Sequence, residues 1–109
     1  MDLGLRDARV VVTGGASNIG RGIVHGFAAE GARVLLVDID AAQAERVRVE
    51  ALERGAAEVR TVVTDLATDG AGARVVDAAV GAWGGVDALV NNAGISVPGF
   101  LTEQTDRAL

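Results

Sequence analysis

The chain has 109 residues, half of them hydrophobic and 23% charged, with no cysteine, a single histidine and a net charge of −5. That is enough apolar material for the core of one domain, and it excludes disulfides, thiolate metal sites and a general affinity for nucleic acid or anionic membranes. The sequence holds neither a basic stretch leading into an apolar run nor an apolar window of about 18 residues, so a soluble cytoplasmic protein is expected.

Runs rich in Val and Leu recur at intervals of roughly 25 to 30 residues, each followed by helical periodicity, which is the pattern of successive βαβ units. The first run, Arg9-Val10-Val11-Val12-Thr13, is apolar without alternation, as befits a parallel strand covered on both faces. A glycine-rich turn leads into a helix from Asn18 to about Glu30, with Ile19, Ile23 and Phe27 expected to face the sheet, His25 on the solvated side and Gly31 as terminator. The second strand, Arg33 to Val37, closes on Asp38-Ile39-Asp40, and Asp40 is placed to cap a helix from Ala41 to about Arg54. On that helix Ala44, Val47 and Ala51 are expected inward, with Arg46, Glu50 and Arg54 pairing along the solvent face before Gly55 ends it. The third strand runs from about Glu58 to Thr64. A third helix, about Ala71 to Trp83, is expected to bury Val76, Ala79, Val80 and Trp83 and to stop at Gly84-Gly85. A fourth strand, Ala88-Leu89-Val90, runs directly into Asn91-Asn92-Ala93-Gly94; Pro98-Gly99 then marks a loop, and Thr105 to Leu109 reads as the opening turn of another helix.

Right-handed crossovers arrange these strands as a doubly wound parallel α/β sheet in the order 3-2-1-4, a single domain across residues 1–109. A ligand crevice then lies at the carboxyl ends of strands 1 and 4. Two features sit at its rim. The turn from Thr13 to Gly20 joins strand to helix, so its N–H groups and the helix N-terminus can hold a pyrophosphate; read more plainly, it is a tight connection. Asp38 ends the second strand, where a carboxylate can accept both hydroxyls of an adenosine ribose and repel a 2′-phosphate; read more plainly, it begins a turn.

Thr13-Gly14 through Gly20, the acid Asp38, Asp65-Leu66 and Asn91-Asn92-Ala93-Gly94, in this order and at these spacings, resemble the short-chain dehydrogenase/reductase family over about Leu5 to Leu109. The last tetrapeptide is the most specific element, since no general rule of strand termination asks for it. The resemblance implies a Rossmann-type fold in which Gly14, Ser17, Asn18, Ile19 and Gly20 line the pyrophosphate. Asp38 and Ile39 would meet the adenosine ribose and adenine, Asp65 and Leu66 border the adenine, and Asn92, Ala93 and Gly94 lie under the cofactor's ribose. Asn91 is implied to be structural, holding the central strands together. Asn18 stands where the family usually has its middle glycine; Asn tolerates a left-handed backbone, so the turn is expected to survive, and its amide can donate to phosphate. Asp38, with the neutral Ser17, favours NAD over NADP.

The family's chemistry uses a Tyr as acid/base, a Lys that lowers its pKa and a Ser that orients substrate, from segments downstream of the Asn-Asn-Ala-Gly motif. These 109 residues contain no Tyr, and all ten basic residues are Arg. Among them only His25 titrates near neutrality unaided, and Ser17 and Ser96 are loop residues with no base beside them. The expectation is therefore an incomplete, NAD-binding N-terminal part, inactive alone. Its full-length form would pass hydride between NAD and a small alcohol or carbonyl, as the homo-oligomer that the family resemblance implies. The alternatives are a stand-alone dinucleotide-binding module without catalysis, or a half-domain that self-assembles or needs a partner chain. An open edge at the fourth strand and an apolar patch beside the third helix are also expected.

Overall fold

Each of the four Val- and Leu-rich runs forms a strand in the computed structural model, which describes residues 4–92. The order along the chain is β1 (Arg9–Thr13), α1 (Asn18–Ala29), β2 (Arg33–Asp38), α2 (Ala41–Glu53), β3 (Glu58–Val63), α3 (Ala71–Trp83) and β4 (Ala88–Asn91). The strands pair in parallel in the order β3-β2-β1-β4, as expected from the crossover rule.

The period of two along each strand explains why the middles of β1 and β2 are apolar throughout. Val10, Val12, Val34, Leu36 and Val59 point to one face, where α1 and α2 cover them with Val24, Ala28, Ala44, Val47 and Ala51. Val11, Leu35 and Val37 point to the other, under Val75, Ala79 and Trp83 of α3. Trp83 is a core residue, and its Nε1 donates to Glu58 Oε1 at 3.3 Å. Asp40 caps α2 by accepting from the Gln43 N–H at 3.0 Å, and Gly31 and Gly84 follow α1 and α3 with φ of 78° and 77°.

Two helices are rotated by one position from the expected faces. α1 buries Gly20, Val24 and Ala28, while Ile23 and Phe27 flank the core half-buried and Ile19 is 70% exposed. Gly20, Val24 and Ala28 are smaller than the Ile19, Ile23 and Phe27 row, which lets the helix approach the sheet closely. On α3 the buried row is Ala71, Val75, Ala79 and Trp83, with Val76 and Val80 outside. Adjacent apolar pairs made both rows look alike in sequence, and the bulk of Trp83 selects the row four residues apart.

The polar pairing also differs. Glu50 does not pair with Arg46 and Arg54 on a solvent face; it reaches across to α1, where it accepts from the Arg21 guanidinium and lies 3.0 Å from His25 Nε2. His25 is accordingly not a solvated residue, since its side chain retains 17% exposure between the helices. Arg46 instead donates to Gln43 Oε1 at 2.9 Å. Because α1 and α2 lie side by side on one face of the sheet, long polar side chains along their seam meet each other before they meet water.

At the opposite end from the crevice, Arg9 and Asp87 clamp the starts of β1 and β4. Arg9 donates to Asp87 from its backbone N–H at 2.7 Å and from Nε and Nη2 at 3.0 and 2.9 Å. Among the described residues β4 pairs only with β1, and Leu89, in register with Val11 on the α3 face, is 64% exposed. Among those residues the expected open edge is present, and Val76 and Val80 on α3 are exposed as well. No described helix is long and apolar enough to cross a membrane.

Candidate functional site

The carboxyl ends of β1, β2 and β4 meet at the turn between Thr13 and Asn18. Gly14 has φ of 64°, a left-handed value that a side chain disfavours. Gly20, in the first turn of α1, packs directly on that turn: a Cβ there would collide with the Gly14 carbonyl oxygen and lie 2.8 Å from Gly14 C and Gly15 Cα. Ser17 caps α1, accepting from the Gly20 N–H at 3.1 Å and donating to Gly14 O at 2.7 Å. Asn18 is the first residue of α1 and is not left-handed, contrary to the reason given for its tolerance; Asp7 is the one described non-glycine residue with positive φ. Asn fits because the position is an ordinary helical one.

Most backbone donors of the turn are already used. Gly15 N–H donates to Val37 O at 3.1 Å, Ala16 N–H to Asp38 Oδ2 at 2.9 Å, Ser17 N–H to Gly14 O at 3.2 Å and Arg21 N–H to Ser17 O at 2.7 Å. Between Gly15 and Arg21 that leaves the N–H groups of Asn18 and Ile19 without a partner among the described residues. They stand at the N-terminus of a 12-residue helix, the positive end of its dipole.

Asp38 sits at the end of β2 with both carboxylate oxygens engaged once, Oδ2 by Ala16 N–H and Oδ1 by Asp40 N–H at 3.0 Å. A carboxylate oxygen can accept twice, so each retains an acceptor site toward the crevice rim. Ile39 beside it is 66% exposed.

β4 enters the site through Thr13, which is paired in register with Asn91. Thr13 Oγ1 donates to Asn91 Oδ1 at 2.9 Å and accepts from Asn92 N–H at 3.0 Å. The Asn92 amide then donates to Gly14 O at 3.2 Å and to Ser17 Oγ at 3.0 Å. Asn91 therefore ties the two central strands, and Asn92 ties β4 to the glycine-rich turn.

The family model described as short chain dehydrogenase matches residues 8–109. The chain belongs to the short-chain dehydrogenase family. Among curated relatives, galactitol 2-dehydrogenase of Agrobacterium fabrum is 43% identical over 91 residues, which is 84% of this chain and 34% of that protein. The CLA biosynthesis dehydrogenase/reductase of Lactiplantibacillus plantarum is 33% identical over 102 residues, 94% of this chain and 35% of that one. This short-chain dehydrogenase sequence thus spans about a third of the length of the curated relatives it matches. Among solved structures, L-sorbose reductase from Gluconobacter frateurii, complexed with NADPH and L-sorbose, superposes with a TM-score of 0.81 at 37% identity, covering 86% of this chain and 36% of that one. An NAD+-bound xylitol dehydrogenase superposes with a TM-score of 0.73 at 29% identity, covering 78% and 32%.

Of the residues singled out in this short-chain dehydrogenase sequence, Gly14, Ser17, Asn18, Ile19, Gly20, Asp38, Ile39 and Asn92 stand at the carboxyl ends of β1, β2 and β4 and the start of α1. Asp65 follows β3 and orders its own turn, accepting from Ala67 N–H at 2.8 Å, while Leu66 packs half-buried against the α3 side of the core. Ala93 and Gly94 lie outside the described residues, as do Ser96 and the Ile95-to-Phe100 segment. Two participants lay within the turn but had no role of their own in the sequence: Thr13, whose hydroxyl ties β1 to β4, and Ala16, whose N–H meets Asp38. Backbone donors carry no residue-type signal, and Thr13 is legible only once β1 and β4 are in register.

Proposed function

We propose that the chain binds a nicotinamide dinucleotide in this crevice and prefers NAD to NADP. The observation that carries the reading is the position of Asp38: its carboxylate is held at the end of β2, next to the glycine-rich turn, with one acceptor site free on each oxygen. Two ribose hydroxyls donate to such a pair, whereas a 2′-phosphate meets a like charge. The rest of the crevice fits the same ligand. The N–H groups of Asn18 and Ile19 at the α1 N-terminus, without a partner among the described residues, suit a pyrophosphate, the missing Cβ of Gly20 lets the turn lie against the helix, and Ile39 offers an exposed apolar surface to adenine.

Bound there, the nicotinamide supplies a hydride donor or acceptor, and in the whole protein the reaction is oxidation of a small alcohol or reduction of the corresponding carbonyl. The part played by these 109 residues is to bind and orient the cofactor. The Tyr and Lys on which the family's proton transfer rests are not among them, so the chain alone is expected to bind without turnover.

Calorimetric titration of the 109-residue chain with NAD and NADP tests the reading. NAD is expected to bind more tightly, and Asp38→Ala to reduce that preference at a cost to NAD affinity on the order of 1 to 3 kcal/mol. A preference for NADP removes Asp38 from this role.

A further inference from the structure

The bond from Ala16 N–H to Asp38 Oδ2, 2.9 Å, crosses between elements 22 residues apart. Its partner oxygen accepts Asp40 N–H at 3.0 Å, so the carboxylate is held from both sides, once by the turn before α1 and once by the turn before α2. Ala16 lies between Gly15, whose N–H bonds Val37 O, and Ser17, the cap of α1. A displaced Ala16 would carry Ser17 with it, and with Ser17 the start of α1 where the N–H groups of Asn18 and Ile19 stand. A hydrogen bond to an ionised acceptor is roughly twice as strong as a neutral one, which suits it to hold a turn that three glycines leave flexible.

We infer that Asp38 is a positioning residue for the anion subsite as well as the acceptor for a ribose: its carboxylate latches the glycine-rich turn onto β2 and so fixes the N–H groups that meet a pyrophosphate. The ribose half of that statement rests on the proposed function; the latch does not. A cofactor that carries a diol uses the free acceptor sites and leaves the latch intact. One that carries a 2′-phosphate presses a like charge against the same carboxylate, and the anion subsite loosens with it. Selection at the ribose and order at the pyrophosphate are then one device.

The sign of an electrostatic effect separates the latch from simple proximity. Deleting the Asp38 charge should tighten binding of any anion nearby if the side chain does nothing but repel. In the latch, Asp38→Ala weakens binding of inorganic pyrophosphate by roughly five- to tenfold, the loss of about one charge-assisted hydrogen bond. Asp38→Asn removes the charge but keeps an amide oxygen for Ala16 N–H, so it binds pyrophosphate at least as tightly as the original chain. The titration is read by amide chemical shifts, and Ala16 hydrogen exchange is measured in the same three proteins without ligand. Protection of Ala16 N–H in the original chain and Asp38→Asn, with its loss in Asp38→Ala, supports the latch. Equal Ala16 exchange in all three, or a pyrophosphate affinity in Asp38→Ala that matches Asp38→Asn, overturns it. A chain that shows the exchange pattern but binds no NAD counts against the proposed function and leaves the latch standing.

Discussion

Thr13→Val tests how the two central strands are joined at the crevice. The substitution keeps the shape of a side chain that is 6% exposed and removes its hydroxyl. The main losses are the donation to Asn91 Oδ1 at 2.9 Å and the acceptance from Asn92 N–H at 3.0 Å, beside a longer contact with Val90 O at 3.4 Å. At about 1 kcal/mol each the loss is about 2 kcal/mol, rising toward 3 where the abandoned partners stay out of reach of water. In a domain of this size that lowers the thermal midpoint by roughly 10 °C or more. Urea and thermal unfolding followed by circular dichroism give the number, and a cycle with Asn91→Ala isolates the side-chain pair, with a coupling of about 1 kcal/mol expected. Dinucleotide affinity should fall as well, since Asn92 loses the bond that orients it toward Gly14 and Ser17. A loss below about 0.5 kcal/mol would show that Thr13 is a packing residue and that the β1–β4 join lies elsewhere.

Gly20→Ala places a Cβ against the Gly14 carbonyl, a backbone group that cannot swing aside, and is expected to cost about 3 kcal/mol in urea unfolding and to abolish dinucleotide binding by calorimetry. On α3, Val75→Ala should cost about 2 kcal/mol and Val76→Ser less than about 0.5, because the buried row is 71-75-79-83; equal costs would contradict the observed face. Stability should fall with acid. The Asp87 carboxyl lies well below its usual range through the Arg9 side-chain and backbone hydrogen bonds, and Glu50 is lowered by its hydrogen bond from Arg21. A carboxyl depressed in the folded state contributes fully above its unfolded pKa of about 4 and loses that contribution as pH falls through the folded value, so the urea midpoint should decline below about pH 4. Asp87→Asn should flatten that decline.

The fold was legible because its signals are redundant. The apolar cores of β1 and β2, without alternation, require a sheet covered on both faces, and the spacing of the four runs leaves room for a crossover helix each time, so parallel pairing in the order β3-β2-β1-β4 has few competitors. The helix faces were less legible for a local reason. Val75-Val76 and Ala79-Val80 offer two equally apolar rows one residue apart, and only the sheet can say which one Trp83 brings inward. The Arg21–Glu50–His25 group was hidden for the opposite reason: its members are far apart in sequence, and Glu50 has nearer partners of the right charge on its own helix. Periodicity sees neighbours along an element and is blind to a seam between two.

The same blindness decides how the site motifs should be understood. Read along the chain, Ser17 and Asn92 are polar residues at the mouth of a crevice and look like ligand contacts. In three dimensions the Ser17 hydroxyl has one donor and two acceptor sites, and Gly14 O, Gly20 N–H and the Asn92 amide occupy all of them. Both hydrogens of that amide are in turn spent on Gly14 O and Ser17 Oγ. These side chains are the scaffold of the turn. What remains for a dinucleotide is a short set of groups that the scaffold leaves unsatisfied or uncovered: the N–H groups of Asn18 and Ile19, the second acceptor sites of Asp38 and the exposed side chain of Ile39. A substitution in the scaffold should therefore lower stability and affinity together, and one at Ile39 affinity alone.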